Sequence, residues 1–514
     1  MLKDLLRKLT EKDKGSYKDL KLTERLDVNI KIINDIFKDD DTLVVRRFEN
    51  GHHKAAKFCM FFFNGMVDDN LLNENIVKPL LLDITAKSLS GRSLLKELET
   101  KIIHADDVQE SGSVEQMVDA MMSGNTLLLV EGFAEALIIQ TKGYQTRSIT
   151  EPSSERVIRG PREGFTEDLM VNLTMIRRKV KSPELKFKFM EIGTRTHTKV
   201  CICYIEGLVN EKILQEFYHR LDNIDIDGVM DSGYIQELIK DAPFSPFETL
   251  GHSERPDVTA GKMLEGRIAL IVDGSPEVLT APFVFIENFQ SDEDYYSNFF
   301  FGSINRIVRI LSGAITISMP AIYVAIATYH HEMIPTPLLI SISAAREGIP
   351  FPTIIEVILM LAVFEILREA GVKLPAAVGD AVNIVGALVL GQAVIQARFV
   401  SAPVVIIVAI TGITSLMIYQ LKGPIIISRI VFLILASILG IFGIAFGVLA
   451  LVIHLSSIRS FGIPYMLTIG SIKNQDLKDT AIRVPWWYMH LRPPLIGARN
   501  LVKKPYEKPG GKRT

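Results

Sequence analysis

After about residue 303 the texture of this chain changes abruptly. Residues 310–331 run for 22 positions without Asp, Glu, Lys or Arg, and residues 381–397, 399–421 and 430–458 are equally free of them. Each comes close to the ~20 apolar residues that a helix needs to cross the hydrocarbon layer of a bilayer. A buried helix of a water-soluble domain rarely runs so far without a solvent-facing stripe. A further stretch, 353–371, is apolar but carries Glu356, Glu365, Arg368 and Glu369. These segments predict an α-helical transmembrane bundle of 4–5 spans, four firm and one compromised.

The rest of the chain is built differently. Of 514 residues 48% are hydrophobic and 23% charged, and nearly all the charge lies outside the apolar stretches. A net charge of −2 argues against a nucleic-acid binder, which would need a basic face. Three cysteines, Cys59, Cys201 and Cys203, cannot build a disulfide framework or a four-cysteine zinc site. Cys201 and Cys203 share one face of a predicted strand and read as buried and reduced.

The expectation is a multi-domain membrane protein. Residues 1–145 and 146–303 form two cytosolic α/β subdomains, 304–458 the helical domain and 459–514 a basic cytosolic tail. Helical periodicity marks 71–89 and 211–222. Short β-branched runs mark strands at 126–130, 134–140, 199–205 and 267–282, the last with a hairpin signal at Asp273-Gly274. No internal repeat stands out.

Orientation follows from the flanks. The front lacks an export signal, and the tail carries eleven Lys/Arg against three Asp/Glu, so both ends belong inside. An even number of crossings is then required, and five candidates is odd. Segment 353–371 is the best suspect for a re-entrant or pore-facing element. The Pro-rich stretch 335–352 before it reads as broken backbone.

Glu356 has eight uncharged residues on either side. Such a carboxylate must meet water, a cation or an arginine. It lines a cation path, or it forms an ion pair that locks the fold; both readings stand. Asn383 and Gln392 join it as candidate pore-lining residues. The pairs Ala387/Gly391 and Gly443/Gly447 have the small-x3-small spacing of close helix packing.

In the front half, residues 151–169 alternate Arg156, Arg159 and Arg162 with Glu151, Glu155, Glu163 and Glu167 around Gly160-Pro161. This is not a phosphate loop. A salt-bridged boundary is the better reading, with Arg156, Arg159, Arg162 and Glu163 as candidate subunit-interface residues. NIDIDG (223–228) starts like a calcium loop, but its twelfth position is Tyr234, so Ile224 and Ile226 fit an edge strand instead. No catalytic constellation, metal site or cofactor motif is visible. Trp486 and Trp487 suit an interfacial anchor or a docking surface.

Three long motifs carry a resemblance: PSSERVIRGPREGFTEDLMVNLTMIRRKVKSPELK (152–186), VDGSPEVLTAPFVFIENFQSDEDYY (272–296) and PTPLLISISAAREGIPFPTIIEVILMLAVFEILREAGVKLP (335–375). Together they resemble the A subunits of GerA-type spore germinant receptors, with the A-subunit-like protein of the stage V sporulation A operon as a close relative. The resemblance implies a multi-pass protein of the spore inner membrane that senses nutrient through a transporter-like B subunit and a lipoprotein C subunit. It also implies a homo-oligomer, proposed to be pentameric, that passes monovalent cations among membrane lipids. The alternative is a non-conducting scaffold subunit. The family supplies no catalytic residues.

Overall fold

A computed structural model describes residues 20–50, 56–82, 107–143, 157–374, 391–467, 479–480 and 482–489, with isolated positions between these stretches. Helix α1 (Leu26–Ile36) leads into the hairpin β1 (Leu43–Glu49) and β2 (Lys57–Phe63). A π-helical turn, Leu71–Val77, continues as Lys78–Leu82; then come β3 (Val108–Ser111), α2 (Val114–Met122), β4 (Thr126–Val130) and β5 (Ala136–Ile139). The strands pair antiparallel in the order β1-β2-β4-β5-β3. Alternation sorts the side chains of β2. Phe58, Met60 and Phe62 meet Leu72, Ile76 and Leu80 on one face, while Cys59, Phe61 and Phe63 meet α1 and α2 on the other.

The second unit follows the same plan: α3 (Leu169–Lys179), β6 (Leu185–Ile192), β7 (Thr198–Ile205), α4 (Glu211–Asp222), α5 (Ser232–Ile239), β8 (Gly251–Ser253), α6 (Pro256–Leu264), β9 (Ile268–Val272) and β10 (Val278–Ala281). Its sheet runs β6-β7-β9-β10-β8, again antiparallel throughout. Asp273-Gly274 makes the β9–β10 turn, with Gly274 at φ +87°.

The two units repeat each other, which corrects the expectation of no repeat. Gly132 (φ +86°) takes the place of Gly274, and Gly124 (φ +90°) that of Gly266 (φ +96°). Asn29 and Asn172 are both buried and clamp the residue six positions earlier. Each accepts from the backbone N–H of Thr23 or Thr166 at 2.8 Å and donates to its carbonyl. Gly132 N–H reaches Glu24 O and Gly274 N–H reaches Glu167 O, both at 2.8 Å. The identity extends through the helix start as T-E-x-L-x-V-N-x-x-x-I, at 23–33 and again at 166–176.

The copies meet through charge. Arg177 at the end of α3 is fully buried and donates to Asp40 Oδ2 at 2.6 Å and Thr42 Oγ1 at 3.0 Å. Its guanidinium lies 4.0 Å from the Phe63 ring and 4.5 Å from that of Phe187. Lys188 reaches Asp39 and Asp41, and Lys186 the carbonyl of Lys38. The segment around Ile224 and Ile226 is irregular rather than an edge strand. Its carbonyls at 226 and 227 accept from the β6–β7 turn while both isoleucines pack on the core.

The helical part comprises α7 (Phe299–Thr328), α8 (Thr336–Arg346), α9 (Thr353–Lys373), α10 (Ala402–Leu416), α11 (Lys422–Leu439) and α12 (Ile441–Ser457). Among the described residues, two helical stretches, Phe299–Thr328 and Tyr419–Leu439, are long and apolar enough to cross a membrane. Two expectations change. Residues 336–346 are helical rather than broken, since prolines in a first helical turn cost no internal hydrogen bond. Residues 430–458 are not one span. Gly440, at φ +59° and ψ −137°, separates α11 from α12, and the two pack against each other as a hairpin. Hydropathy gives no hint of that reversal, because both arms are equally apolar.

Candidate functional site

The second unit and the helices share one core. Val200, Ile202, Leu270 and Val272 of the sheet, with α4 and α5, belong to the same buried cluster as Ile418, Leu421, Ile425, Leu455 and Ile458. Beyond α12 the chain threads back into this unit. Ser460 Oγ donates to Thr249 O at 2.6 Å and accepts from Phe283 N–H at 3.0 Å, and Asp241 accepts from Phe461 N–H at 2.7 Å. Arg220, held by Asp241, lies 4.4 Å from the Phe461 ring. His454 near the end of α12 shares a 3.0 Å hydrogen bond with Ser245. This junction combines apolar contacts with paired polar groups.

A second tie sits at the start of α7. Arg306, completely buried, pairs with Asp294 at 3.3 Å and with Asp479 of the tail at 2.7 Å. Tyr295 Oη donates to Asp479 at 2.6 Å, and Arg309 also grips Asp294. Burial raises the Asp479 carboxyl above its ordinary value, with Arg306 opposing. Trp486 packs near Tyr295 and Trp487 near Phe299, so the tryptophans anchor the tail to this helix base.

Glu356 lies in the first turn of α9, where the helix dipole favours a carboxylate. It is fully buried and accepts from Ser401 N–H at 2.9 Å and Ser401 Oγ at 2.8 Å; Arg346 Nε stands 3.5 Å from its other oxygen. Within one chain Glu356 therefore joins the end of α8 to the start of α10. Gln392 is exposed, and Asn383 lies outside the described residues.

Sequence reasoning missed Arg429. This arginine of α11 donates to Glu365 at 2.7 Å, and Glu365 also pairs with Arg368. One turn on, Lys422 meets Glu369 at 3.3 Å. The signal was present: Arg429 is a lone charge directly before the uncharged stretch 430–458. Such a charge needs a partner on a neighbouring helix.

In the charged loop, Glu163 folds back onto its own unit, 3.5 Å from Arg178 and 3.2 Å from Lys179. Arg159 and Arg162 are exposed beside Ile158, which is 88% exposed; Arg156 lies outside the described residues. The cysteines are buried and free, and burial pushes the Cys59 thiol up to about 12.

Comparison with known proteins gives these arrangements a family. The pattern described as "Bacillus/Clostridium GerA spore germination protein" matches residues 31–495. Spore germination protein KA of Bacillus subtilis (strain 168) is 43% identical over 90% of this chain and 85% of its own. The uncharacterized membrane protein YfkQ of the same organism is 40% identical over 92% of both chains. The solved N-terminal domain of the A subunit of the Bacillus megaterium spore germinant receptor GerK3 is 32% identical, covering 52% of this chain and 98% of its own, with a TM-score of 0.42. The chain belongs to the GerA family of spore germination proteins.

Proposed function

We propose that this chain is the membrane subunit of a nutrient-responsive spore germination receptor. Several copies, five in the simplest form of the reading, surround a cation-conducting path in the inner membrane of the spore. A transporter-like B subunit holds the nutrient, and a lipoprotein C subunit completes the complex. The observation that carries this reading is the core shared by the second α/β unit and helices α11 and α12. A nutrient signal that tilts the units relative to their neighbours reaches those helices without an intervening linker, biasing the ring between closed and open states.

The helix directions support an even number of crossings. Helices α9 and α10 run parallel: Glu356 lies by Ser401 and Arg368 by Ser415. The chain leaves α9 at one end of the bundle and enters α10 at the other, and the uncharged stretch 381–397 between them is, from its sequence, a candidate for that crossing. With 430–458 divided at Gly440, the crossings become six, and both the α/β units and the tail stay in the cytosol. Gln392 is then the exposed polar candidate for the path, and Glu356 acts through its pairing with Arg346.

Ion flux into liposomes carrying the purified chain tests the proposal. A cation-selective leak, reduced by Glu356→Gln in rings that still assemble, is expected. Well-assembled rings that pass no ions would leave the non-conducting scaffold, a reading favoured by the complete enclosure of Glu356 within one chain.

A further inference from the structure

We infer that the cleft between the two α/β units is a binding site for a small polyanion, a molecule carrying two or more oxyanion groups such as a polycarboxylate or a phosphate ester. The cleft has a volume of ≈ 570 Å³. Met66 and Met122 of the first unit line one side; Arg162, Arg178, Lys179 and Lys181 of the second face them, with Glu163 the one carboxylate among the described lining residues. Glu163 pairs with Arg178 at 3.5 Å and Lys179 at 3.2 Å, and cations still outnumber it on this concave surface.

The first copy carries less of this charge at the matching turn. The end of α3 and its continuation read Arg177-Arg178-Lys179-Val180-Lys181, where the matching turn of α1 reads Asn34-Asp35-Ile36-Phe37-Lys38 and runs into Asp39-Asp40-Asp41. The acidic loop of the first copy is met by Arg177, Lys186 and Lys188. That set accounts for the contact between the copies. Arg178, Lys179 and Lys181 are additional to it, and the exposed Arg162 arrives from a different segment to the same cleft. One cation in a last turn suffices to complement a helix dipole. Two segments converging four cations on one concavity is the arrangement that oxyanion recognition requires, with guanidinium forks and mobile ammonium groups able to share several oxygens.

Size and position narrow the ligand. The volume lies within the range of small-molecule pockets and is too small for a folded partner. Because the lining comes from both units, a bound polyanion stabilises their present relation. This site does not depend on the channel reading.

Isothermal titration of the full purified chain in detergent tests it, with pyrophosphate and citrate as separate probes at constant ionic strength. Saturable one-site binding is expected, weakening as salt is raised. Preference between the probes separates a phosphate-bearing ligand from a carboxylate. Arg162→Gln combined with Lys181→Gln should weaken binding by about tenfold or more, whereas Lys78→Gln on the distant surface should leave it unchanged. Glu163→Gln should tighten binding, a gain that no folding defect produces. Binding no stronger than the chloride control, or an affinity indifferent to both the double variant and Glu163→Gln, would overturn the inference.

Discussion

Burial sets the terms for Arg177. It pulls the guanidinium below its ordinary pKa, and the adjacent Asp40 carboxylate counters that pull. Removing one partner strands the other, so Arg177→Met should cost about 3–5 kcal/mol even though methionine fills much of the space between Phe63 and Phe187. Combining it with Asp40→Leu should restore most of the loss, because a pair replaced by apolar groups leaves no orphaned charge. Urea unfolding of the detergent-solubilised chain, followed by far-ultraviolet circular dichroism, reads both; additive losses would mean that the pair does not act as a unit. Glu356 follows the same logic. Its isolation in an apolar run was legible, since a lone carboxylate there always needs an explanation. Its partners were not: Ser401 is 45 residues away, and nothing in a linear pattern says which hydroxyl a carboxylate will find.

Turns and glycines act at the scale of elements. The α11–α12 hairpin depends on small residues where the arms cross. A Cβ added at Gly443 would overlap the carbonyl oxygen of Leu435, whereas at Gly447 it would meet side-chain atoms of Leu435 and Phe432 at 3.3 Å. Backbone cannot move aside, but side chains can. Gly443→Ala should therefore destabilise the hairpin by ~2 kcal/mol or more, and Gly447→Ala by less than half of that. Thermal unfolding in detergent measures the ratio, and equal effects would argue against this close crossing. The small-x3-small spacing pointed to packing here, yet the hairpin itself was read as one span. The spacing records contact, and direction depends on the backbone angle at Gly440. Strands at 126–130 and 199–205 and the turn at Asp273-Gly274 were legible from local chemistry, because β-branching and turn residues act within a few positions. The kinship of the copies was legible too: T-E-x-L-x-V-N-x-x-x-I stands at 23–33 and again at 166–176, which the expectation of no repeat overlooks.

For the whole molecule the question is which end of the helical bundle each connection occupies. Ile418 and Leu421, between α10 and α11, lie in the core of the second unit, so that turn sits at the end nearest the units. Tyr329 Oη donates to Ser437 O at 2.6 Å, and His330 approaches the backbone of Ile441 at 3.5 Å. The connection after α7 and the Gly440 turn therefore share the opposite end. The tail returns to the first end, where Arg306 holds Asp479. The six crossings proposed above predict a definite labelling pattern. Single cysteines at Met333, Met417 and Tyr488, all well-exposed positions, report the three places. The native thiols give little background, since Cys59, Cys201 and Cys203 are all buried. In right-side-out vesicles a membrane-impermeant maleimide should reach Cys at 333 at once, and should reach 417 and 488 only after permeabilisation. Labelling of 488 without permeabilisation would mean an odd number of crossings. The basic tail would then lie outside, and the buried Arg306–Asp479 pair could not form as it stands, because its members would be on opposite sides of the bilayer.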